Sequence, residues 1–197
     1  ALPILIGTDA FQEVDIYGMS IPATKHNFLV RSPEELPRVI AEAFSIAVSD
    51  RPGPVLVDIP RDVQVAPVEV DGLPEPGVAT PMPTPDSAAL ARAAELLNAA
   101  ERPLLLLGGG TSSPEAAAAV LEFMEQQRIP AVMSLRGLGV VPHGHELAVG
   151  MLGMHGARAS NMLVEECDVL VVVGARLGDR ATGRLDSFCP KSGLIHI

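Results

Sequence analysis

Apolar and polar positions along the second half of the chain follow two alternating patterns. Short apolar runs, which are typical of buried strands, lie at 103–107, 131–134, 168–173 and 194–197. Apolar residues at helical spacing fill the intervals 86–100, 114–127 and 157–166. Residues 135–155 carry neither pattern and are predicted to form a loop. Strands that alternate with helices predict a mostly parallel sheet with helices on both faces, which is a doubly wound α/β fold.

The first half of the chain carries one clear helix and one clear strand. Ser32-Pro33-Glu34-Glu35 is a helix start, because Ser32 and Glu35 can form a capping box and Pro33 suits the first turn. Apolar residues then recur at helical spacing, namely Leu36, Val39, Ile40, Ala43, Phe44 and Ala47. Arg51-Pro52-Gly53-Pro54 ends the helix, and residues 55–60 are predicted to form a buried strand that stops at Pro60.

Residues 66–85 lack both patterns and are rich in proline. They include Pro67, Pro74, Pro76, Pro81, Pro83 and Pro85. Proline fixes φ and removes a backbone donor, so this composition favours an extended linker over a helix or a central strand. We therefore predict a domain boundary there, with one domain over 1–65 and another over 86–197.

The composition narrows the class of protein. Hydrophobic residues make up 48% of the 197 residues and charged residues 19%, which is typical of a folded protein. A formal net charge of −10 disfavours binding to nucleic acid, and every apolar run is too short to span a membrane. Cys167 and Cys189 are too few for a disulfide framework and fit the reducing cytoplasm. The start at Ala1 and the apolar run at the other end indicate an internal piece of a longer protein.

Three glycine- or arginine-bearing segments directly follow predicted strands, at 108–110, 134–137 and 174–180. Parallel sheets bind ligands at this edge. GGGTSS lacks the third glycine of a dinucleotide fingerprint, so a tight strand-to-helix turn is the better interpretation of it on residue type alone. Arg176 and Arg180 suit a phosphate or carboxylate ligand, and they equally suit a solvated surface.

GMLGMHG, at residues 150–156, is too rich in glycine for a helix and too apolar for an ordinary turn. Glycine lets the backbone approach a ligand, methionine offers polarizable contact, and His155 adds one polar group. This combination favours a flat, partly apolar ligand, although a lone histidine is more often structural. His143 and His145 have no further ligand candidates nearby, so we predict no metal site.

Several segments together resemble the large catalytic subunit of the acetohydroxyacid synthases, also called acetolactate synthases. These segments are IGTDAFQEVD (6–15), KHNFLV (25–30), EELPRVIAEAF (34–44), RPGPVLVDIPRDV (51–63), GMLGMHG (150–156) and GARLGDR (174–180). They cover nearly the whole chain in the order and spacing of the family, and the form resembles the bacterial biosynthetic enzyme.

The resemblance implies three α/β domains of similar size. The first would bind the pyrimidine of thiamine diphosphate, the central one FAD, and the last the diphosphate and Mg²⁺. Residues 1–65 would be the C-terminal part of the first domain, and 86–197 a truncated, Rossmann-like central domain. The family's catalytic glutamate and its metal-binding motif fall outside these residues. We therefore assign no catalytic residue and no metal ligand here, and we expect the isolated fragment to be inactive.

The resemblance also assigns site residues. Those that would bind FAD are Arg51, Gly108, Gly109, Gly110, Ser134, Leu135, Leu152, Gly153, Met154, His155, Gly174, Ala175, Arg176 and Arg180. Those that would line the substrate channel are Phe11, Gln12, Arg61, Met154 and Arg180. Arg180 would bind the carboxylate of the second 2-ketoacid. On residue type alone, Arg51 is better explained as an exposed turn residue, so its assignment depends on the resemblance.

This sequence departs from the family pattern at two places in these segments. Leu177 and Gly178 replace the Phe-Asp of the family's GARFDDR, which removes one possible flavin contact. Arg61 replaces the usual lysine of the channel, which keeps the charge but changes reach and shape.

The implied reaction decarboxylates pyruvate and joins the two-carbon unit to pyruvate or 2-ketobutyrate, in branched-chain amino-acid biosynthesis. The implied cofactors are thiamine diphosphate, Mg²⁺ and FAD, and the implied assembly is a cytoplasmic homodimer or homotetramer with a regulatory small subunit. Two alternatives stay open. One is another thiamine-diphosphate carboligase or decarboxylase, such as a catabolic acetolactate synthase without FAD. The other is a non-catalytic nucleotide-binding module on the same sheet.

Overall fold

The computed structural model describes residues 7–8, 13–69, 72–75 and 84–197. The chain divides into two compact units, Ala1–Pro83 and Thr84–Ile197. The division falls inside the proline-rich stretch, while the domain limits at residues 65 and 86 stay a prediction. Phe11 and Gln12, two of the predicted channel residues, lie outside the described residues.

Over its described residues, the first unit contains a pair of parallel strands and three α-helices. The strands are β1 (His26–Leu29) and β2 (Val55–Asp58), with His26 opposite Val55. The helices are α1 (Ile16–Ser20), α2 (Leu36–Val48) and α3 (Arg61–Val65). A small core of buried valines joins these elements, namely Val30, Val39 and Val63.

The predicted capping box of Ser32 and Glu35 forms, but it begins a 3-10 turn, Pro33–Glu35, that leads directly into α2 at Leu36. The backbone N–H of Ser32 donates to Glu35 Oε1 at 3.1 Å. Only part of the apolar face of α2 is buried. Val39 and Ala43 are buried, whereas Phe44 is 71% exposed within the described structure. α2 carries two apolar rows, and the row of Val39 and Ala43 is the one turned into the core.

The second unit is a five-stranded parallel sheet with helices on both faces. The strands are β3 (Pro103–Leu107), β4 (Ala131–Met133), β5 (Ala148–Met151), β6 (Val169–Val173) and β7 (Gly193–His196). The helices are α4 (Ser87–Asn98), α5 (Pro114–Gln127), α6 (Arg158–Glu166) and α7 (Asp179–Thr182). The strand order is β5-β4-β3-β6-β7, and each neighbouring pair is parallel. The predicted doubly wound α/β fold is confirmed.

Alternate residues of the central strands feed two hydrophobic cores. Leu104 and Leu106 of β3 face the side of the sheet where Val164 of α6 packs. Leu105 and Leu107 face the opposite side, where Met124 of α5 is buried. The period of two along a strand thus explains why these runs are apolar at every position: both faces of the sheet are covered.

The prediction of a continuous loop over 135–155 is wrong, because β5 lies within it. Ala148 pairs with Ala131 and Gly150 with Val132, and the register between these pairs is irregular. The strand is short, and Gly150 has a φ of +123°, a conformation that interrupts ordinary strand geometry. Because β5 ends at Met151, the segment that begins at Leu152 follows the carboxyl end of a strand. Within the described ranges, no helix combines the length and apolar character of a membrane span.

Candidate functional site

One edge of the sheet collects most of the predicted site residues. All five strands are parallel, so the segments that follow them lie at the same edge. Those segments begin at Gly108 after β3, Ser134 after β4, Leu152 after β5 and Gly174 after β6. The strand order reverses between β3 and β6, and in doubly wound sheets such a switch point opens the crevice that binds ligands.

Backbone hydrogen bonds tie each segment to the neighbouring strand. Ser134 donates its N–H to the carbonyl of Leu107 at 2.9 Å, and Leu152 donates to Met133 at 2.8 Å. Gly108 donates to Val173 at 2.9 Å. The edge is therefore a connected surface whose shape follows from the sheet.

The glycine turn after β3 packs directly on the segment after β6. Gly110 donates its N–H to the carbonyl of Gly174 at 2.9 Å. A Cβ at Gly108 would lie 2.2 Å from the Gly174 oxygen, and one at Gly110 would lie 2.7 Å from the Gly174 Cα. These glycines are required by the close approach of two backbones. The interpretation as a tight turn thus has a structural basis, while contact with FAD stays a prediction.

The segment after β4 presents an apolar side chain to solvent. Leu135 begins a short 3-10 turn and is 73% exposed. Gly137 closes the turn, and a Cβ there would lie 2.2 Å from the carbonyl oxygen of Leu107. The turn therefore lies flat on β3 and holds Leu135 at the edge, where it can contact a ligand.

The GMLGMHG segment lies against the start of α7. Gly153 has a φ of +106°, and a Cβ there would lie 2.4 Å from the carbonyl oxygen of Arg180. Met154 donates its N–H to the same oxygen at 2.9 Å, and an Nη of Arg180 lies 3.9 Å from Met154 Sδ. Leu152 is buried, whereas Met154 and His155 are exposed. The structure thus brings Met154 and Arg180 together, as expected if both line one channel.

Asn161 of α6 was missed by the sequence analysis. Its Oδ1 accepts the N–H of Gly153 at 3.0 Å, and its Nδ2 donates to the carbonyl of Gly153 at 3.2 Å. A signal existed, because asparagine is disfavoured inside helices and its side chain there often bonds to another part of the backbone. The pattern that predicted a helix over 157–166 did not indicate its partner.

The segment after β6 offers two exposed guanidinium groups. Gly174 has a φ of +59°, Ala175 is buried, and Arg176 is exposed. The carbonyl of Ala175 accepts a hydrogen bond from His196 Nε2 at 2.8 Å, which fixes this segment to β7. Arg180 lies 4.0 Å from Asp179, and both side chains are largely exposed. An exposed pair of this kind contributes little to stability, so Arg180 can exchange it for an anionic ligand.

A cavity of about 360 Å³ opens between α6 and α7. Its walls include Leu152, Met154, Asn161, Arg180, Phe188 and Cys189. The cavity combines apolar surface with one guanidinium group and with the carboxylates of Glu165 and Asp179. Burial raises the pKa of the Cys189 thiol and of the neighbouring Cys167 thiol, so both stay protonated at neutral pH. Among the described residues, no group of three His, Cys, Asp or Glu side chains could hold a metal ion.

Arg51 and Arg61 belong to the first unit. Arg51 lies in an exposed turn that Lys25 supports: Lys25 donates its backbone N–H to the carbonyl of Pro54 at 2.7 Å and its Nζ to the Oγ of Ser49 at 3.0 Å. Arg61 is the exposed first residue of α3. The roles assigned to both arginines by resemblance stay predictions.

A doubly wound parallel sheet with glycine turns, exposed apolar side chains and arginines at its carboxyl edge is an architecture common among nucleotide-binding domains. Comparison with known families specifies this class further. The chain belongs to the thiamine pyrophosphate enzyme family, and residues 90–197 match the model of its central domain.

Curated relatives extend the similarity over both units. The chain is 50% identical over 193 residues to acetolactate synthase isozyme 1 large subunit of Escherichia coli, covering 98% of the chain and 34% of that protein. It is 48% identical over 194 residues to the isozyme 2 large subunit of the same organism, covering 98% and 35%. It is 44% identical over 195 residues to the acetolactate synthase large subunit of Corynebacterium glutamicum, covering 98% and 31%. The chain thus spans about a third of the length of these relatives.

Proposed function

We propose that this chain is part of the large subunit of an acetolactate synthase. The parent protein decarboxylates pyruvate and condenses the two-carbon unit with pyruvate or 2-ketobutyrate. The observation that carries the proposal is 50% identity to such a large subunit over 98% of this chain, across both units. A nucleotide-binding module alone would not require similarity in the unit that precedes the linker.

We propose that the carboxyl edge of the second unit binds FAD. Exposed Leu135 and Met154 offer apolar contact for a flat ring, and Arg176 offers charge for a diphosphate. Bound FAD would supply a planar apolar surface with a structural role, because the net reaction transfers no electrons. The crevice at the strand switch point fits a dinucleotide of this kind.

The chain's own contribution to the reaction is the selection and orientation of substrate. Arg180 binds the carboxylate of the second 2-ketoacid, because its guanidinium is exposed and only weakly paired with Asp179. Met154, in contact with Arg180, shapes the apolar side of the same path. Thiamine diphosphate, Mg²⁺ and the catalytic glutamate belong to parts of the parent protein beyond these segments.

The assembly is proposed from the relatives' names. Each of the three relatives is a large subunit, which supports a regulatory small subunit as a partner. A homodimer or homotetramer in the bacterial cytoplasm stays the prediction made from the resemblance.

Purified full-length protein tests the function. With pyruvate, thiamine diphosphate and Mg²⁺, we expect acetolactate, and with added 2-ketobutyrate we expect acetohydroxybutyrate. The protein should be yellow and release FAD on denaturation. Acetolactate from a colourless, flavin-free protein would favour the catabolic form. Acetaldehyde as the sole product would favour a decarboxylase, and tight ATP binding without flavin would favour a nucleotide-binding module.

The placement of Met154 is tested by Met154→Trp in the full-length protein. Since Met154 is 63% exposed, the variant protein should fold normally, and the larger indole ring should obstruct the site. We expect loss of flavin retention or at least a tenfold drop in kcat/KM, on the scale of small misplacements in active sites. Met162→Trp on the exposed face of α6 is the control, and it should leave both unchanged. Equal behaviour of the two variants would contradict the placement.

A further inference from the structure

We propose that Asn161 is a positioning residue of the site: it fixes Gly153 and, through Gly153, the relative placement of Met154 and Arg180. The inference rests on the proposed function, in which these two residues line the path of the second 2-ketoacid. Asn161 itself is not assigned a contact with substrate.

The first step is the double hydrogen bond between one amide side chain and one residue's backbone. Asn161 accepts from the N–H of Gly153 at 3.0 Å and donates to its carbonyl at 3.2 Å. Both backbone groups of Gly153 therefore bond to the same side chain, and the Gly153 carbonyl also accepts the N–H of Gly156 at 2.8 Å. Such pairing fixes the distance and the rotation of Gly153 relative to α6, which one hydrogen bond could not do.

The second step is the contact between Gly153 and the start of α7. A Cβ at Gly153 would lie 2.4 Å from the Arg180 oxygen and 3.0 Å from the Ala181 Cα, so the two backbones touch. The next residue, Met154, donates its N–H to the same Arg180 oxygen at 2.9 Å. A displacement of Gly153 would therefore change the contact that sets Met154 against Arg180.

The third step is that Asn161 lies on a helix whose position is fixed by packing against the sheet. Its helix α6 buries Val164 against the sheet, in the same core as Leu104 and Leu170. Asn161 itself is half-buried, which protects its hydrogen bonds from competition by solvent. The exposed pair of Asp179 and Arg180, at 4.0 Å, cannot hold α7 comparably. Asn161 thus transmits the fixed position of the sheet to two exposed side chains.

The test compares Asn161→Ala and Asn161→Asp with the control Asn98→Ala in the full-length protein. Asn98 is exposed at the end of α4, away from the carboxyl edge. Hydrogen exchange of peptides covering 152–156 and 179–183 measures positioning directly. We expect about tenfold faster exchange in Asn161→Ala, the scale of losing two hydrogen bonds. Asn161→Asp keeps an acceptor for the Gly153 N–H but lacks the donor, so its exchange should be intermediate.

Kinetics measure the consequence for the substrate. We expect the KM for 2-ketobutyrate to rise about tenfold in Asn161→Ala, while kcat for pyruvate decarboxylation changes less than threefold, because Arg180 recognises the acceptor. The control should match the wild type in both measurements. If Asn161→Ala does not fold, Asn161→Asp decides both readouts.

Two results would overturn the inference. Unchanged exchange over 152–156 would show that Asn161 does not fix Gly153. Faster exchange with an unchanged KM for 2-ketobutyrate would show that the fixed geometry does not serve the acceptor. Failure of the proposed function is distinguishable from both, because the wild-type protein would then form no acetolactate while the exchange measurement would still report on Gly153.

Discussion

Gly108 shows how one missing side chain allows two segments of the site to meet. Its φ is −108°, which other residues adopt easily, so its requirement for glycine comes from contact. A Cβ there would lie 2.2 Å from the Gly174 oxygen and 2.3 Å from the Ala175 Cα, both backbone atoms. Backbone atoms cannot rotate away as a flexible side chain could. The segments after β3 and β6 would have to separate.

Gly108→Ala should therefore destabilise the protein by about 2 kcal/mol or more, in the range of overpacked cores. Gly178→Ala is the control, because Gly178 has a φ of −84° and open space around an added Cβ. Thermal denaturation of the full-length protein should show a lower midpoint for the first variant and an unchanged one for the second. Equal midpoints would contradict the close approach of the two segments.

The sequence predicts the turn at Gly108 but not its partner. GGG after an apolar run indicates a tight turn by local conformational preference alone. The contact with Gly174 joins residues far apart in sequence, and no local pattern specifies which segments will meet. For the same reason the glycines of GMLGMHG indicate a close approach of the backbone, but nothing in the segment indicates that Asn161 of the next helix bonds to it.

Ser160 precedes Asn161 in α6, but its side chain, unlike that of Asn161, makes no hydrogen bond within the described structure. Its Oγ is buried and has no hydrogen-bond partner within the described structure. Burial of an unpaired hydroxyl costs about 1–3 kcal/mol. Ser160→Ala should therefore raise the free energy of unfolding by about 1 kcal/mol, measured by thermal or urea denaturation.

A second serine provides a matched control, because its substitution by alanine should lower the free energy of unfolding. Ser113 is the N-cap of α5, and its Oγ accepts the N–H of Ala116 at 3.2 Å. Ser113→Ala removes this cap and should destabilise the protein by about 1 kcal/mol. A destabilised Ser160→Ala variant would mean that the buried hydroxyl is satisfied in solution.

Strand β5 positions the GMLGMHG segment, yet its sequence does not predict a strand. Three of its features weaken the strand signal: it is short, it contains Gly150, and its register with β4 is irregular. The sheet forms it nonetheless, because the edge of β4 offers unpaired backbone groups. Continuous apolar runs such as those of β3 and β6 predict buried strands directly, whereas an edge strand of this kind is specified by its partner.

Asp168 joins the starts of two neighbouring strands, at the edge of the sheet opposite the candidate site. Its carboxylate accepts the backbone N–H groups of Glu101 at 2.7 Å and Arg102 at 2.9 Å, which fixes the start of β3 beside that of β6. These hydrogen bonds, that of Glu101 first, lower the pKa of Asp168 below its ordinary value of 3.8. A lowered pKa in the folded state means that ionised Asp168 stabilises the fold above pH 3.8. That contribution disappears as the pH falls through the lowered value.

Asp168→Asn should accordingly lower the melting temperature at pH 7, because an amide has one acceptor oxygen for two donors. The difference from the wild type should narrow as the pH falls below 3.8 and through the lowered pKa of the wild-type carboxylate. Glu166→Gln, at the exposed end of α6, is the control and should follow the wild type at both pH values. A difference that is constant with pH would show that the charge of Asp168 contributes nothing.

Across the whole molecule, the doubly wound class follows from the sequence because buried parallel strands must be apolar on both faces. The alternation of Leu104 and Leu105 between two cores is the structural form of that pattern. Strand order is a different kind of property. It depends on which edges pair, and the reversal between β3 and β6 that locates the crevice is a result of the structure alone.

The 197-residue chain on its own should not synthesise acetolactate, because it spans about a third of its relatives. The proposed reaction would depend on thiamine diphosphate, which would supply the carbanion chemistry when bound to the parent protein. Isolated chain incubated with pyruvate, thiamine diphosphate, Mg²⁺ and FAD should give no acetolactate above a protein-free blank. The full-length protein under the same conditions should give it readily. Turnover by the isolated chain would place the catalytic group within these 197 residues and would require a different assignment of the site.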